Sequence, residues 1–345
     1  MTERRLVVDL AATSRNWALP ASGYAAIEAA APPGWGVRFV RGPAVSDGDG
    51  GAAPSAEALG AVRAAEVYFG FGMSPALFGA AERLRWIQSA AAGVAGLLFP
   101  AIRDGDVILT NSAGVHAEPI AEHVLGGVLY LLRGFDVAVR QQDAGRWDKA
   151  PFVEDGARVR ELGECRVLVL GTGGIGRAVG RRFALLGARC VGIRRRPELG
   201  APEGFERVAG PEALDAELAQ ADVVVLSAPL TAETGGLLTA ARLDLLPAES
   251  IVVNVARGSL LDERALTDRL RAGRLRGAVL DVFEPEPLAA GSPLWRLPQV
   301  LITPHVSAVS PRRFWERELA LFFENWRRYR EGEPLLNRVD KRAGY

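Results

Sequence analysis

The chain has 345 residues, 49% of them hydrophobic and 24% charged, enough to bury two ordinary cores. Its 41 basic residues balance 41 acidic ones, which removes the electrostatic case for a nucleic-acid or acidic-membrane partner. The two cysteines, Cys165 and Cys190, have no neighbouring thiol and no metal-ligand spacing, so a reduced, cytoplasmic protein without a metal is expected.

The opening residues, MTERRLVVDL, lack the apolar core and small-residue cleavage site of a signal peptide. The most apolar stretch, 90–102, is too short to span a bilayer. Residues 4–10 read as a strand, 18–31 as an Ala-rich helix and 35–40 as a second strand, and 41–54 (RGPAVSDGDGGAAP) is loop chemistry. Helix 55–64, strand 66–70, helix 74–80 and strand 84–88 then alternate as a small α/β unit. In SAAAGVAGLL (89–98), small residues around Gly93 let a turn present free N–H groups, which suits either packing or a bound carboxylate. After a strand at 106–111 comes a helix over 117–133, with Pro119 in its first turn and apolar positions at Ile120, Val124, Val128, Leu131 and Leu132. It leads from one domain to the other, and a polar connection containing Trp147 follows.

From Leu162 the pattern changes. The strand CRVLVL breaks at Gly171-Thr172-Gly173-Gly174-Ile175-Gly176 and continues at helical spacing through Ala178, Val179, Phe183, Leu185 and Leu186. It then returns to an apolar strand at 190–193. Strand, glycine turn, helix and strand make a dinucleotide fingerprint: Gly171 permits the turn, Gly173 admits a pyrophosphate to backbone N–H groups, and Gly176 lets helix and strand lie close. An acidic residue at the tip of the second strand suits a ribose 2′-OH, whereas arginine suits a 2′-phosphate. Arg194, Arg195 and Arg196 stand there, so NADP(H) is the expected cofactor, with NAD(H) possible.

Beyond Arg196, strands at 221–227, 250–255, 277–280 and 300–303 alternate with helices at 239–246 and 262–272, implying a parallel sheet covered on both faces. Residues 308–331 read as a helix that returns to pack on the first domain. Ligands of such sheets sit beyond the carboxyl ends of the strands. Arg257, Glu286 and His305 follow three successive strands there. A histidine exchanges protons near neutral pH, a carboxylate beside it favours the imidazolium and fixes its tautomer, and an arginine holds an anion and polarises a carbonyl. Together with a dinucleotide they describe a 2-hydroxy-acid dehydrogenase. Each also has a structural reading, as a turn cap, a loop acid or an ion-pair anchor. His116 and His123, at or within the 117–133 helix, are expected to have a structural or hinge role.

The blocks WIQSAAAGVAGLL, TNSAGVHAEPIAEHVL, LVLGTGGIGRAVGRRFALLGARCVG, LSAPLTAETGGLL, NVARGSLLDERAL, GAVLDVFEPEPL and LITPHVSA cover most of residues 85–310. With them the chain resembles the D-isomer-specific 2-hydroxyacid dehydrogenase family, on its NADP-preferring, glyoxylate/hydroxypyruvate reductase-like side. The resemblance implies two Rossmann-like or flavodoxin-like α/β domains with parallel sheets and an interdomain active-site cleft. Residues 1–112 plus 306–345 would form the substrate domain and 113–305 the dinucleotide-binding domain. It implies that Arg257 binds substrate, that Glu286 partners the acid/base His305, and that backbone N–H groups at Ala92 and Gly93 bind the substrate carboxylate. Asp281 falls at the nicotinamide end. The expected cofactor-binding set is Gly171, Thr172, Gly173, Gly174, Ile175, Gly176, Arg194, Arg195, Ala228, Pro229, Val255, Ala256, Asp281 and His305. The partners implied are a small 2-oxo or 2-hydroxy acid and a second copy of the chain, docked through the nucleotide domain, with helix 117–133 either a candidate interface or buried within its own chain. Phe71, Met73, Phe314 and Trp315 suggest an apolar wall around the substrate. Two other readings share this fold: a nucleotide-responsive, corepressor-like binding protein without catalysis, and a formate- or phosphite-type dehydrogenase.

Overall fold

The computed structural model describes residues 4–14, 16–42, 45–46 and 52–344. It divides into two compact units, Met1–His116 with Ser310–Tyr345, and Ala117–Val309.

The first unit holds β1 (Arg4–Asp9), β2 (Trp35–Phe39), β3 (Val45–Ser46), β4 (Ala52–Ala53), β5 (Val67–Gly70), β6 (Trp86–Ser89) and β7 (Ile108–Thr110). Five of them form a parallel sheet in the order β2-β1-β5-β6-β7, with the order reversing at β1/β5 as in flavodoxin-like sheets. Alternate residues feed opposite cores, since Leu6, Val8, Phe69 and Trp86 share one cluster and Val7, Tyr68, Ile87 and Leu109 the other. β3 and β4 pair antiparallel, so the stretch expected to be loop carries a short ladder; its residues 43–44 and 47–51 lie outside the described residues. Ser55 and Ser74 accept from Ala58 N and Leu77 N and so cap the helices Ala56–Val62 and Pro75–Ala80.

The helix Phe314–Glu331 belongs to this unit, where Phe322 stacks on Phe69 at 4.2 Å between centroids and Trp326 meets Trp35 edge-on at 4.6 Å. It begins later than the expected residue 308, because 308–313 form turns around Ser310-Pro311, whose proline has no N–H for a helical bond. Phe71, Met73, Phe314 and Trp315 are all buried in the unit's cores, which corrects the expectation that they wall a substrate.

Glu318 of that helix is fully buried, and burial pushes its carboxyl up to about 8. The neighbouring Ser112 hydroxyl offsets this only in part, because it donates to Ser89 O at 2.8 Å. An acid whose folded pKa is raised holds a proton that the unfolded chain has released, so stability falls as pH rises from the usual carboxylate range through about 8. Glu318→Gln should therefore gain on the wild type between those limits, by several kcal/mol at pH 9 and little at pH 4.5. Urea unfolding of both proteins across that range measures the difference, and equal slopes would show that Glu318 stays ionised.

The second unit holds β8 (Arg166–Leu170), β9 (Arg189–Ile193), β10 (Arg207–Ala209), β11 (Val223–Leu226), β12 (Ile251–Asn254), β13 (Gly277–Leu280) and β14 (Val300–Ile302). All seven are parallel, in the order β10-β9-β8-β11-β12-β13-β14. The order reverses between β8 and β11, which leaves a crevice at their carboxyl ends. Leu168, Leu170, Val224 and Leu226 face one core, and Val167, Val169, Val223 and Val225 the other.

Three features of this unit differ from, or decide between, the sequence readings. In place of a purely polar connection after the helix Ala117–Leu132, Gly134 turns the chain at φ 70° into a second helix, Phe135–Asp143. Its Asp136 is buried in a bidentate pair with Arg276, at 2.7 and 3.2 Å. The edge strand β10 escaped the sequence reading because three residues between turns carry no period. Of the two readings left open for the apolar stripe of Ala117–Leu132, its burial inside its own unit is the one seen.

Candidate active site

The glycine loop connects β8 to the helix Gly174–Leu185 and lies at the β8/β11 reversal. Gly171 has φ 99°, and a Cβ there would come within 2.7 Å of Ala228. A Cβ on Gly176 would lie 2.0 Å from the Gly171 carbonyl oxygen. Gly173, which starts the helix, faces open space. The two crowded glycines thus bring loop, helix and strand together, and the open one leaves the helix N-terminus accessible to an anion. Ser227 Oγ donates to Gly171 O at 2.8 Å and fixes the turn. Thr172 is buried with its methyl group against Gly192, so its backbone is what it offers a ligand. Ile175 is half-buried; Ala228, Val255 and Ala256 are buried and Pro229 exposed, at the ends of β11 and β12.

The arginines after β9 do different things. Arg194 lines a cavity of about 410 Å³ with Gly174, Arg177, Arg181, Glu118 and the 199–203 segment. Arg195 is outside that lining and reaches Glu233 at 3.9 Å. Open glycine turn, free helix end and arginine-lined cavity fit a dinucleotide bearing an extra phosphate.

On the other side of the sheet, β12, β13 and β14 are neighbours, so residues just beyond their ends lie roughly 5 Å apart, strand by strand. Arg257 follows β12, and its turn is held by Asn254, which donates to Arg257 O at 2.9 Å and accepts from Ala256 N at 3.1 Å. Its guanidinium donates to Ala256 O at 2.7 Å. Gly258 lets this turn meet the one after β13, since a Cβ there would lie 2.1 Å from the Phe283 carbonyl carbon.

Glu286 accepts from Phe283 N through Oε1 at 3.0 Å and contacts His305 Nδ1 through Oε2 at 2.8 Å. With Nδ1–H donating to this carboxylate, Nε2 is the ring nitrogen left available for proton exchange. His305 has φ 53°, a left-handed backbone uncommon for a residue with a Cβ and held here by constraint. The constraint is visible: His305 N donates to Asp281 O at 2.8 Å. Asp281 Oδ1 accepts from Thr303 Oγ1 at 2.5 Å and Val306 N at 2.9 Å, and Oδ2 accepts from Ser307 N at 2.9 Å. Asp281, expected at the nicotinamide end, is fully buried and acts here as the clamp of the histidine loop. Thr303 Oγ1 also lies 3.2 Å from His123 Nε2, so His123 braces the same loop from its helix. His123 thus has the structural place expected of it, whereas Thr303 and Gly258 carry no local signal because their partners, Asp281 and Phe283, are distant in the chain.

In the first unit, the turn after β6 carries Ala92 and Gly93. Ser89 Oγ accepts from Ala91 N at 3.2 Å, and Asn111 Nδ2 donates to Ala92 O at 2.8 Å. The N–H groups of Ala92 and Gly93 have no acceptor among the described residues, as a carboxylate-binding turn requires. His116 stacks on Phe314 at 5.2 Å, a structural place.

The family model for the D-isomer specific 2-hydroxyacid dehydrogenase NAD binding domain matches residues 125–307. The glyoxylate/hydroxypyruvate reductase A of Salmonella newport is 32% identical over 77% of this chain and 83% of its own length. A D-isomer specific 2-hydroxyacid dehydrogenase from Xanthobacter autotrophicus Py2, solved with NADPH and MES, is 33% identical over the whole of both chains, at a TM-score of 0.77. An NADPH-dependent glyoxylate/hydroxypyruvate reductase from Sinorhizobium meliloti, solved with NADP and sulfate, is 28% identical over 99% of this chain and 100% of that one, also at 0.77.

Proposed function

Since this chain belongs to the D-isomer-specific 2-hydroxyacid dehydrogenase family, we propose that it reduces a small 2-oxo acid to the 2-hydroxy acid with NADPH, NADH being the weaker donor. The observation that carries the reading is the 2.8 Å Glu286–His305 pair, one strand end away from Arg257. A bound nicotinamide supplies the hydride. The protein's own groups do the rest: Arg257 holds the acid and polarises its carbonyl, Nε2 of His305 delivers a proton to the oxygen as negative charge grows there, and Glu286 supports the imidazolium. The unaccepted N–H groups of Ala92 and Gly93 are the proposed carboxylate contacts. The test is loss of nicotinamide absorbance with NADPH or NADH against glyoxylate, hydroxypyruvate and bulkier 2-oxo acids. Turnover faster with NADPH supports the reading; tight nucleotide binding without turnover of any acid overturns it.

We also propose that the protein works in the cytoplasm as a homodimer built on the Ala117–Val309 unit. The thiols of Cys165 and Cys190 are buried and pushed up to about 11 and about 12, inert groups that suit a reducing compartment. No helix among the described residues is long and apolar enough to cross a membrane. Trp147 is 91% exposed and Val153 72%, with Phe135 and Val139 also open to water, and such apolar side chains favour a covered surface. Trp147→Glu should raise the fraction of monomer at least tenfold in light scattering at micromolar concentration. A wild type that is already monomeric would sink the proposal.

A further inference from the structure

Among the groups lining the cavity beyond β9, three are guanidiniums, and they are not equivalent. Arg181 is held by Glu118 at 3.0 Å, and Glu118 also contacts Arg182, so that acid is matched by two cations within hydrogen-bond reach. The side chains of Arg177 and Arg194 have no ion-pair or hydrogen-bond partner among the described residues; only their backbone N–H groups are bonded, to Gly173 O and Ala209 O. Both line the cavity, Arg194 from the tip of β9 and Arg177 from the first turns of the helix Gly174–Leu185. Two unmatched guanidiniums reaching one cavity from different elements form a site for a dianion, with planar forks that suit phosphate oxygens. The segment Leu199-Gly200-Ala201-Pro202 is apolar or small, and the lining carries two carboxylates, Glu203 and the already paired Glu118. At about 410 Å³ the cavity is of ligand size.

We infer that Arg177, from the dinucleotide helix itself, is the second arm of a two-arginine clamp with Arg194 for the adenosine 2′-phosphate of NADP(H), and so a specificity-determining residue. The inference rests on the NADPH reading above and extends it, since the strand tip alone supplies only one of the two forks. Arg195, engaged near Glu233, is not part of the clamp.

The test is calorimetric binding of adenosine 2′,5′-bisphosphate and of 5′-AMP to the full-length protein, which reads the clamp without turnover. Position 177 is exposed on its helix, where alanine is a good helix former, so Arg177→Ala is expected to fold with an unchanged melting temperature. It should weaken the bisphosphate about tenfold or more and leave 5′-AMP within about twofold. Arg177→Glu should deepen the loss for the bisphosphate alone. A wild type that binds both nucleotides equally would refute the NADPH reading. A wild type that prefers the bisphosphate, with an Arg177→Ala variant that keeps that preference, would refute the inference about Arg177 alone. Equal loss of both ligands would also overturn it, by making Arg177 a contact of the shared 5′-phosphate.

Discussion

His305→Asn should lower kcat for 2-oxo-acid reduction by about 10²–10⁴-fold while NADPH still binds. Asparagine suits the test because it tolerates the left-handed backbone that residue 305 adopts at φ 53°, so the Asp281 clamp on the loop survives. What it cannot do is give up a proton at the position of Nε2. Glu286→Gln should cost less, because the amide oxygen can still accept from Nδ1–H across the 2.8 Å contact, although its NH2 then forfeits the bond from Phe283 N and no negative charge faces the imidazolium. Stopped-flow turnover beside nucleotide titration separates the two terms. An Asn variant with wild-type kcat would mean that the proton comes from elsewhere.

Arg257→Gln should lower kcat/KM for the 2-oxo acid by about 10²–10³-fold, with part of the loss in KM, and leave NADPH affinity within about twofold. Glutamine can still donate toward Ala256 O, the 2.7 Å contact Arg257 makes, so the turn that Asn254 holds is preserved. The charge that grips an anion and meets growing negative charge on the carbonyl oxygen is gone. Steady-state kinetics with saturating NADPH gives the ratio. A loss that appears as lower melting temperature with unchanged kcat/KM would return Arg257 to a structural role.

The glycine loop was readable from local pattern because its constraints are local: a tight turn, a helix start and a close approach within six residues. So were the places of Arg257, Glu286 and His305, because apolar strands announce their own ends and a parallel sheet puts those ends on one side. Family blocks over residues 85–310 added what each residue type alone left open. The helix Phe135–Asp143 was not readable, since its buried face is secured by an ion pair with Arg276, 140 residues away.

By itself, then, the sequence determined the two α/β units, the dinucleotide turn and the placing of a guanidinium, a carboxylate and an imidazole after successive strands, because hydrophobic period and glycine chemistry act over a few residues. Tertiary structure alone decided how those groups are held. Asp281, Thr303 and His123 bend the histidine loop into a left-handed turn, and Gly258 lets the Arg257 turn touch Phe283. The same packing separates Arg194, which faces a cavity with Arg177, from its neighbour Arg195 beside Glu233. These are contacts between segments distant in the chain, and only the folded backbone brings them within hydrogen-bonding and van der Waals range.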